Sequence, residues 1–352
     1  MMDEAILENP ATESGLSWSE YFRPDWLARH REEPVEPELP IIDPHHHLWA
    51  WLGYGLDAFL ADATSGHNIR ATVHLETGLA RDAGDPEHLR AVGETRHLVA
   101  LLADARFEEA GAPAICAGIV GHVDLELPEH LVEEALDAHV AAGQGRFKGV
   151  RLNAFHHDEV SWLDDARPGR AGDPVIRRNL AILGRRGLVC DVMAFHHQLR
   201  EVAELAAASP EVIFVINHCG GFLGRIAKQG SMTAAMRVWG DGVRALADQG
   251  NVVMKLGGLA CDFFSGIQLH LEPEPPTSQK IAEIYRPFFE PCINAFGAER
   301  CMFESNYPAD RQQVDYVVLW NGFKRLAAGA GTAEKEALFS ATARRIYSLT
   351  GV

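Results

Sequence analysis

The chain has 352 residues, 47% of them hydrophobic and 23% charged, a globular composition long enough for one large α/β barrel or two mid-sized domains. Its 32 basic and 49 acidic residues leave a net charge of −17, which argues against general nucleic-acid binding and against anionic membrane surfaces. No apolar run reaches the ~18 residues a transmembrane helix needs. A small-molecule substrate remains the expected partner, because one buried pocket can be locally basic in an acidic protein.

The first residues, MMDEAILENPATESG, lack the basic and apolar layout of a signal peptide. Residues 1–38 are polar, rich in Pro and Glu, and without a sustained period, and they read as an N-terminal arm with a short helix near Trp18–Arg31. From residue 39 short apolar runs alternate with helical patterns. The runs are Pro40–His46, Ala71–Glu76, Ala114–Val120, Phe147–Leu152, Leu188–Met193, Val212–Ile216, Val252–Leu256 and Cys301–Ser305. Helical spacing follows in Leu131–Ala142, Val175–Arg186, Leu199–Ala207, Thr233–Asp248, Ile281–Phe296, Val314–Ala327 and a last helix at Ala333–Tyr347. Eight β runs alternating with helices predict a single (β/α)8 barrel of class α/β over residues 39–352. Gly257 and Gly258 mark a loop after the seventh run. The six cysteines are scattered, with no CxxC pair, and read as reduced thiols of a cytoplasmic protein. A homo-oligomer is compatible with the sequence, which specifies no oligomeric state.

Asp43-Pro44-His45-His46-His47-Leu48-Trp49 closes the first run. Side chains alternate along a strand, so His45 and His47 share a face. In a barrel that face is the interior, at the C-terminal rim where active sites form. Two imidazoles there can hold one divalent metal; the alternative is a pair of structural histidines in a polar turn. On the second run His74 and Glu76 share a face, with Glu76 nearer the rim. On the fourth, Arg151 and Asn153 share one face and Lys148 lies on the other. An arginine at the rim offers a fixed fork to a substrate carboxylate, or it bridges to a barrel acid. Lys255 binds an anion or pairs with a buried acid. Trp49, Trp51 and Tyr54 read as core or cleft wall.

Ile41-Ile42-Asp43-Pro44-His45-His46-His47-Leu48-Trp49 resembles the IDxHxHLW signature of the amidohydrolase superfamily, in its amidohydrolase-2 branch of sugar lactonases, a pyrone-dicarboxylate lactonase and decarboxylases. Further resemblances follow in order: Lys148-Gly149-Val150-Arg151-Leu152 to KGVRL, Phe195-His196-His197-Gln198-Leu199 to YHxQL, Val215–Gly221 to VxDHxGG, and Arg300–Pro308 to RxMFGSDWP. Over about residues 40–350 the resemblance implies that His196 and His218 join His45 and His47 at one rim, where four neutral nitrogens suit zinc or a similar metal. It equally allows metal-independent lactonases. The branch's strand-eight aspartate falls at Asn306, which cannot take a proton from water. Glu304 stands where the branch has glycine, on the same strand face. It reads either as a displaced base or ligand, or as a buried carboxylate paired with a cation such as Lys148 or Arg151. Asp310 is a third acid, read as a surface loop residue, and His197 as structural.

These residues together predict a hydrolase of a small carboxylated or polyhydroxylated ester, most simply a lactone. His45, His47, His196 and His218 polarise the carbonyl, directly or through a divalent metal such as zinc. Water attacks, and Glu304 or a histidine such as His218 removes the proton. Arg151 holds the anionic end of the substrate, with Lys148, Glu76 and Asn306 as further contacts. The alternatives are metal-dependent, non-oxidative decarboxylation of an aromatic acid, and an inactive barrel that binds a ligand.

Overall fold

Eight parallel strands, hydrogen-bonded in sequence order, make up the sheet of the computed structural model, which describes residues 22–103, 112–158 and 167–352. They are β1 (Ile41–His46), β2 (Ile69–Leu75), β3 (Ala114–Gly121), β4 (Phe147–Asn153), β5 (Val189–Met193), β6 (Phe214–Ile216), β7 (Val252–Leu256) and β8 (Cys301–Phe303). The sheet closes on itself past the ends of β1 and β8. Asn306 N donates to His45 O at 2.9 Å and His47 N to Tyr307 O at 2.7 Å. The barrel is therefore the (β/α)8 arrangement expected from the eight runs.

The helices between strands include α1 (Leu56–Ala63), α2 (Val92–Leu101), α3 (Glu129–Gly143), α4 (Pro174–Arg186), α5 (Leu199–Ala208), α6 (Met232–Ala247), α7 (Ser278–Phe296) and α8 (Tyr316–Leu326). Four of their starts carry side-chain caps. Asp173 accepts from Val175 N before α4, Ser231 from Ala234 N before α6, Thr277 from Lys280 N before α7 and Asp315 from Val317 N before α8. The Thr277 cap starts α7 three residues earlier than its apolar period suggests.

Other elements differ from expectation as well. β6 begins at Phe214, because Val212 N closes a turn on Ser209 O. β8 stops at Phe303, because the next ladder bond is taken by a side chain: Ser305 N donates to Asp43 Oδ1 at 3.0 Å. The last helix is broken by a wide turn at Ala337–Ala341 between Thr332–Glu336 and Thr342–Ile346. Within the arm only Pro24–Leu27 is helical among described residues; Trp18–Tyr21 lie outside them. The arm packs on the body through Trp26 Nε1 to Glu272 O and Val35 N to Asn321 Oδ1.

Two apolar cores result. The larger lies between sheet and helices. The smaller fills the barrel with Ile42, Val73, Val189, Val215, Val253 and Met302, on which Ile346, Tyr347 and Leu349 of the C-terminal segment pack. Polar interior residues succeed these apolar ones along the strands: Ile42 is followed by His45, Val189 by Asp191, Val253 by Lys255 and Met302 by Glu304, all with no exposure. No described helix is long and apolar enough to cross a membrane.

Candidate active site

The pairing of β1 with β2 slips between Asp43 and His46, at Pro44, which has no N–H to give the ladder. Asp43 holds the slip in place. Its Oδ1 accepts from Ser305 N, and its Oδ2 accepts from Tyr316 OH at 3.0 Å. Burial pushes its carboxyl up to about 6 against these bonds. Beyond the slip His45 and His47 converge, with their Nε2 atoms 3.2 Å apart. His46 turns the other way and stacks on Phe59 at 3.9 Å between centroids. His47 Nδ1 lies 2.9 Å from Leu75 O. A carbonyl only accepts, so Nδ1 carries the proton and Nε2 keeps its lone pair. Burial holds His45 and His47 neutral, with Lys255 adding to the effect at His45 and Arg151 at His47.

Glu304 meets two of the predicted histidines. Its Oε1 accepts from His218 N at 3.0 Å and from His218 Nδ1 at 2.8 Å. Its Oε2 lies 2.8 Å from His45 Nδ1 yet accepts no hydrogen bond. The carboxylate is thus placed by histidines and not by Lys148 or Arg151. Room for it comes from the loop after β7. A Cβ on Gly257 would lie 2.4 Å from Glu304 Cγ, and one on Gly258 2.3 Å from His218 Nδ1. His218 itself has φ +55° and the three residues after it are also left-handed, so β6 ends in a tight turn that aims this ring inward.

Two ion pairs flank the histidines. Lys255 Nζ donates to Asp191 Oδ1 at 2.7 Å, settling in favour of the buried acid. Asp191 also accepts from Asn217 Nδ2 at 2.8 Å and from Tyr347 OH at 2.9 and 3.1 Å. Asp191 and Tyr347 were not among the residues singled out from sequence; an acid inside the apolar run Leu188–Met193 was the available signal. Arg151 donates through Nε to Glu76 Oε1 at 2.9 Å and through Nη2 to Glu76 O at 2.9 Å, and Asn153 Nδ2 reaches Glu76 Oε1 at 3.3 Å. Burial alone would raise the Glu76 carboxyl, but Arg151 beside it holds it down to about 2. Arg151 is therefore spoken for by a barrel acid.

Other predicted site residues lie elsewhere. His196 packs against Phe222, and its Nδ1 accepts from Leu223 N at 3.3 Å. A neutral imidazole accepting at Nδ1 has its proton on Nε2 and no lone pair left for a metal. His196 thus stays out of the group formed by His45, His218 and Glu304. Lys148 sits three residues before Arg151, and its Nζ donates to Ser348 O of the C-terminal segment, away from the rim. Asn306, at φ +53°, gives its Nδ2 to Asp310 Oδ1 at 2.8 Å. Asp310 is fully buried, not a surface acid, and burial pushes it up to about 8. His74 and Glu76 do not share surroundings: His74 is enclosed near His46 and Glu94, because alternation ends with β2 at Leu75. Trp49 stacks on His47 at 5.6 Å and 10°. His197 is exposed, its Nε2 3.0 Å from His156 O.

The amidohydrolase family model matches residues 42–349, from the second residue of β1 to Leu349 of the C-terminal segment. The chain belongs to the amidohydrolase family. It is 31% identical over 336 residues to an uncharacterized protein, y4mH, of Sinorhizobium fredii, covering 88% of this chain and 99% of that one. In fold it is similar to an amidohydrolase from Burkholderia multivorans solved with bound zinc (TM-score 0.62, 24% identity, 88% of this chain and 99% of that one). It is also similar to a putative 2-pyrone-4,6-dicarboxylic acid hydrolase from Pseudomonas putida (TM-score 0.56, 18% identity, 89% and 98%).

This amidohydrolase is thus an enzyme of hydrolase type with a candidate metal centre. His45, His218 and Glu304 each offer one ligand atom, all within 4.8 Å of one another. Imidazole nitrogen and carboxylate oxygen are donors that a divalent ion takes. The buried, unpartnered Glu304 Oε2, 2.8 Å from His45 Nδ1, fits such an ion.

Proposed function

We propose that this amidohydrolase opens a neutral, polyhydroxylated lactone by hydrolysis. The observation that carries the reading is the Glu304–His218 pair. Glu304 Oε1 accepts both N–H groups of His218, which fixes the ring's orientation and puts its proton on Nδ1. The lone pair on Nε2 is then available to take a proton from water, and Glu304 stabilises the imidazolium that forms. His45 and His47 stand beside this ring, with His45 and His218 centroids 4.6 Å apart. The proton gained at Nε2 is returned to the leaving alkoxide of the opened ring. Were a divalent ion bound instead, His45, His218 and Glu304 would hold it, with His218 Nε2 as a ligand rather than as the base, and the ion would supply Lewis acidity at the carbonyl and lower the pKa of water.

The substrate class rests on charge. Arg151 is paired with Glu76, and Lys255 with Asp191. Neither cation is free to hold a substrate carboxylate, which weakens both a carboxylated lactone and an aromatic acid as substrates. Glu76 and Asn153 offer acceptors and donors suited to hydroxyl groups instead. The six buried free cysteines support a reducing, cytoplasmic setting.

The test is turnover of the purified full chain on neutral sugar lactones, carboxylated pyrones and hydroxybenzoic acids, following acid release and carbon dioxide separately. Ring opening of a neutral lactone is expected. Carbon dioxide release from an aromatic acid, or turnover of none of the three, overturns the reading.

A further inference from the structure

We infer that Lys255 is a built-in cation that competes with a metal ion for the candidate centre and so sets how tightly this enzyme holds metal. The inference deepens the site just described and rests on the reading that His45, His218 and Glu304 form it.

Lys255 has no exposure and is the penultimate residue of β7, beside His45 of the histidine cluster. Its Nζ is 2.7 Å from Asp191 Oδ1 and 3.4 Å from His45 Nδ1. Beside Asp191 the group is an ammonium, and an ammonium only donates. Where His45 Nδ1, which also lies 2.8 Å from Glu304 Oε2, takes that bond, the neutral ring's proton lies on Nε2. That proton points to His47 Nε2 at 3.2 Å, and His47 in turn donates from Nδ1 to Leu75 O. The chain Lys255, His45, His47, Leu75 O runs in one direction with each ring nitrogen used once.

A metal ion changes this account. It needs a lone pair of His45, and the atom beside Glu304 Oε2 is Nδ1, the one Lys255 addresses. An ion there meets a fixed positive charge at close range in a buried setting, where repulsion is least screened. Lys255 cannot swing away. Asp191 holds it from β5, and Asp191 is itself held by Asn217 and by Tyr347 of the C-terminal segment. Four polar groups buried here replace apolar packing that would be cheaper, so a role beyond stability is the simpler account of their presence.

The test is zinc titration of the metal-stripped full chain against a chromophoric chelator, with no substrate present. Lys255→Met is expected to bind zinc at least tenfold more tightly than wild type. Removing the lysine also exposes the Asp191 charge, so Lys255→Gln combined with Asp191→Asn removes both charges. It is expected to tighten binding in the same direction, and it replaces the single variant if that one fails to fold. Unchanged or weaker zinc binding in a variant with a native melting transition overturns the inference. Because no turnover is read, the result is independent of whether lactone hydrolysis is found.

Discussion

Glu304 and His218 share one oxygen: Oε1 of the glutamate accepts both the backbone N–H and the Nδ1–H of the histidine. The pairing ties β8 to the turn after β6 and leaves the other carboxylate oxygen buried beside His45. Glu304→Gln keeps the shape and one acceptor but loses the charge that stabilises an imidazolium. Turnover is expected to fall at least about a hundredfold, the lower end of general acid–base effects. The thermal melt should stay near wild type. Wild-type turnover in a folded variant would leave Glu304 a structural acid.

Gly258 allows this geometry. It sits at φ +70°, and a Cβ there would come 2.3 Å from His218 Nδ1. Gly258→Ala is expected to displace the His218 ring and abolish turnover, at a cost in stability of a few kcal/mol typical of a strained backbone position. Loss of activity with a folded circular dichroism spectrum is the expected result; full activity would place His218 outside the chemistry.

Glu76 decides what Arg151 can bind. Glu76→Gln frees the guanidinium from its ion pair while Asn153 and the rim remain. The expected outcome is a shift in preference: KM rises for a neutral lactone and falls for its carboxylated analogue by several-fold each. Parallel steady-state kinetics on the two substrates read this directly. An unchanged ratio would mean that Arg151 does not face the substrate.

Glu94 gives a pH signature. Its side chain accepts from Thr77 N, Thr77 Oγ1 and Gly78 N, and burial, with Glu76 nearby, lifts its carboxyl from 4.5 to about 7. The folded state binds this proton more tightly than the unfolded chain. The contribution to stability is therefore complete below about 4.5 and is lost as pH rises through about 7. Glu94→Gln is expected to lack this component, so the difference in Tm between wild type and variant should shift in the variant's favour from pH 4.5 to pH 8. A pH-independent difference would refute the raised carboxyl.

The sequence alone determined the barrel, because eight apolar runs and the helical periods between them are local patterns imposed by backbone geometry. Alternation also put His45 and His47 on one side, and their Nε2 atoms do meet at 3.2 Å, although His47 lies just past the end of β1. The limits came where alternation stops. Glu76 lies just past β2, so its face could not be read from His74. His196 lies in a short helical turn after β5, where the backbone N–H of Leu223 occupies its ring nitrogen. Partnership was decided only by tertiary structure. Arg151 and Glu76 are 75 positions apart, Glu304 and His218 86, and Tyr347 and Asp191 156. Which acid neutralises which base depends on strand register and on where the C-terminal segment enters the barrel. Burial then sets the charge of each group through desolvation, as for Asp310, a quantity that no local spacing of residues carries.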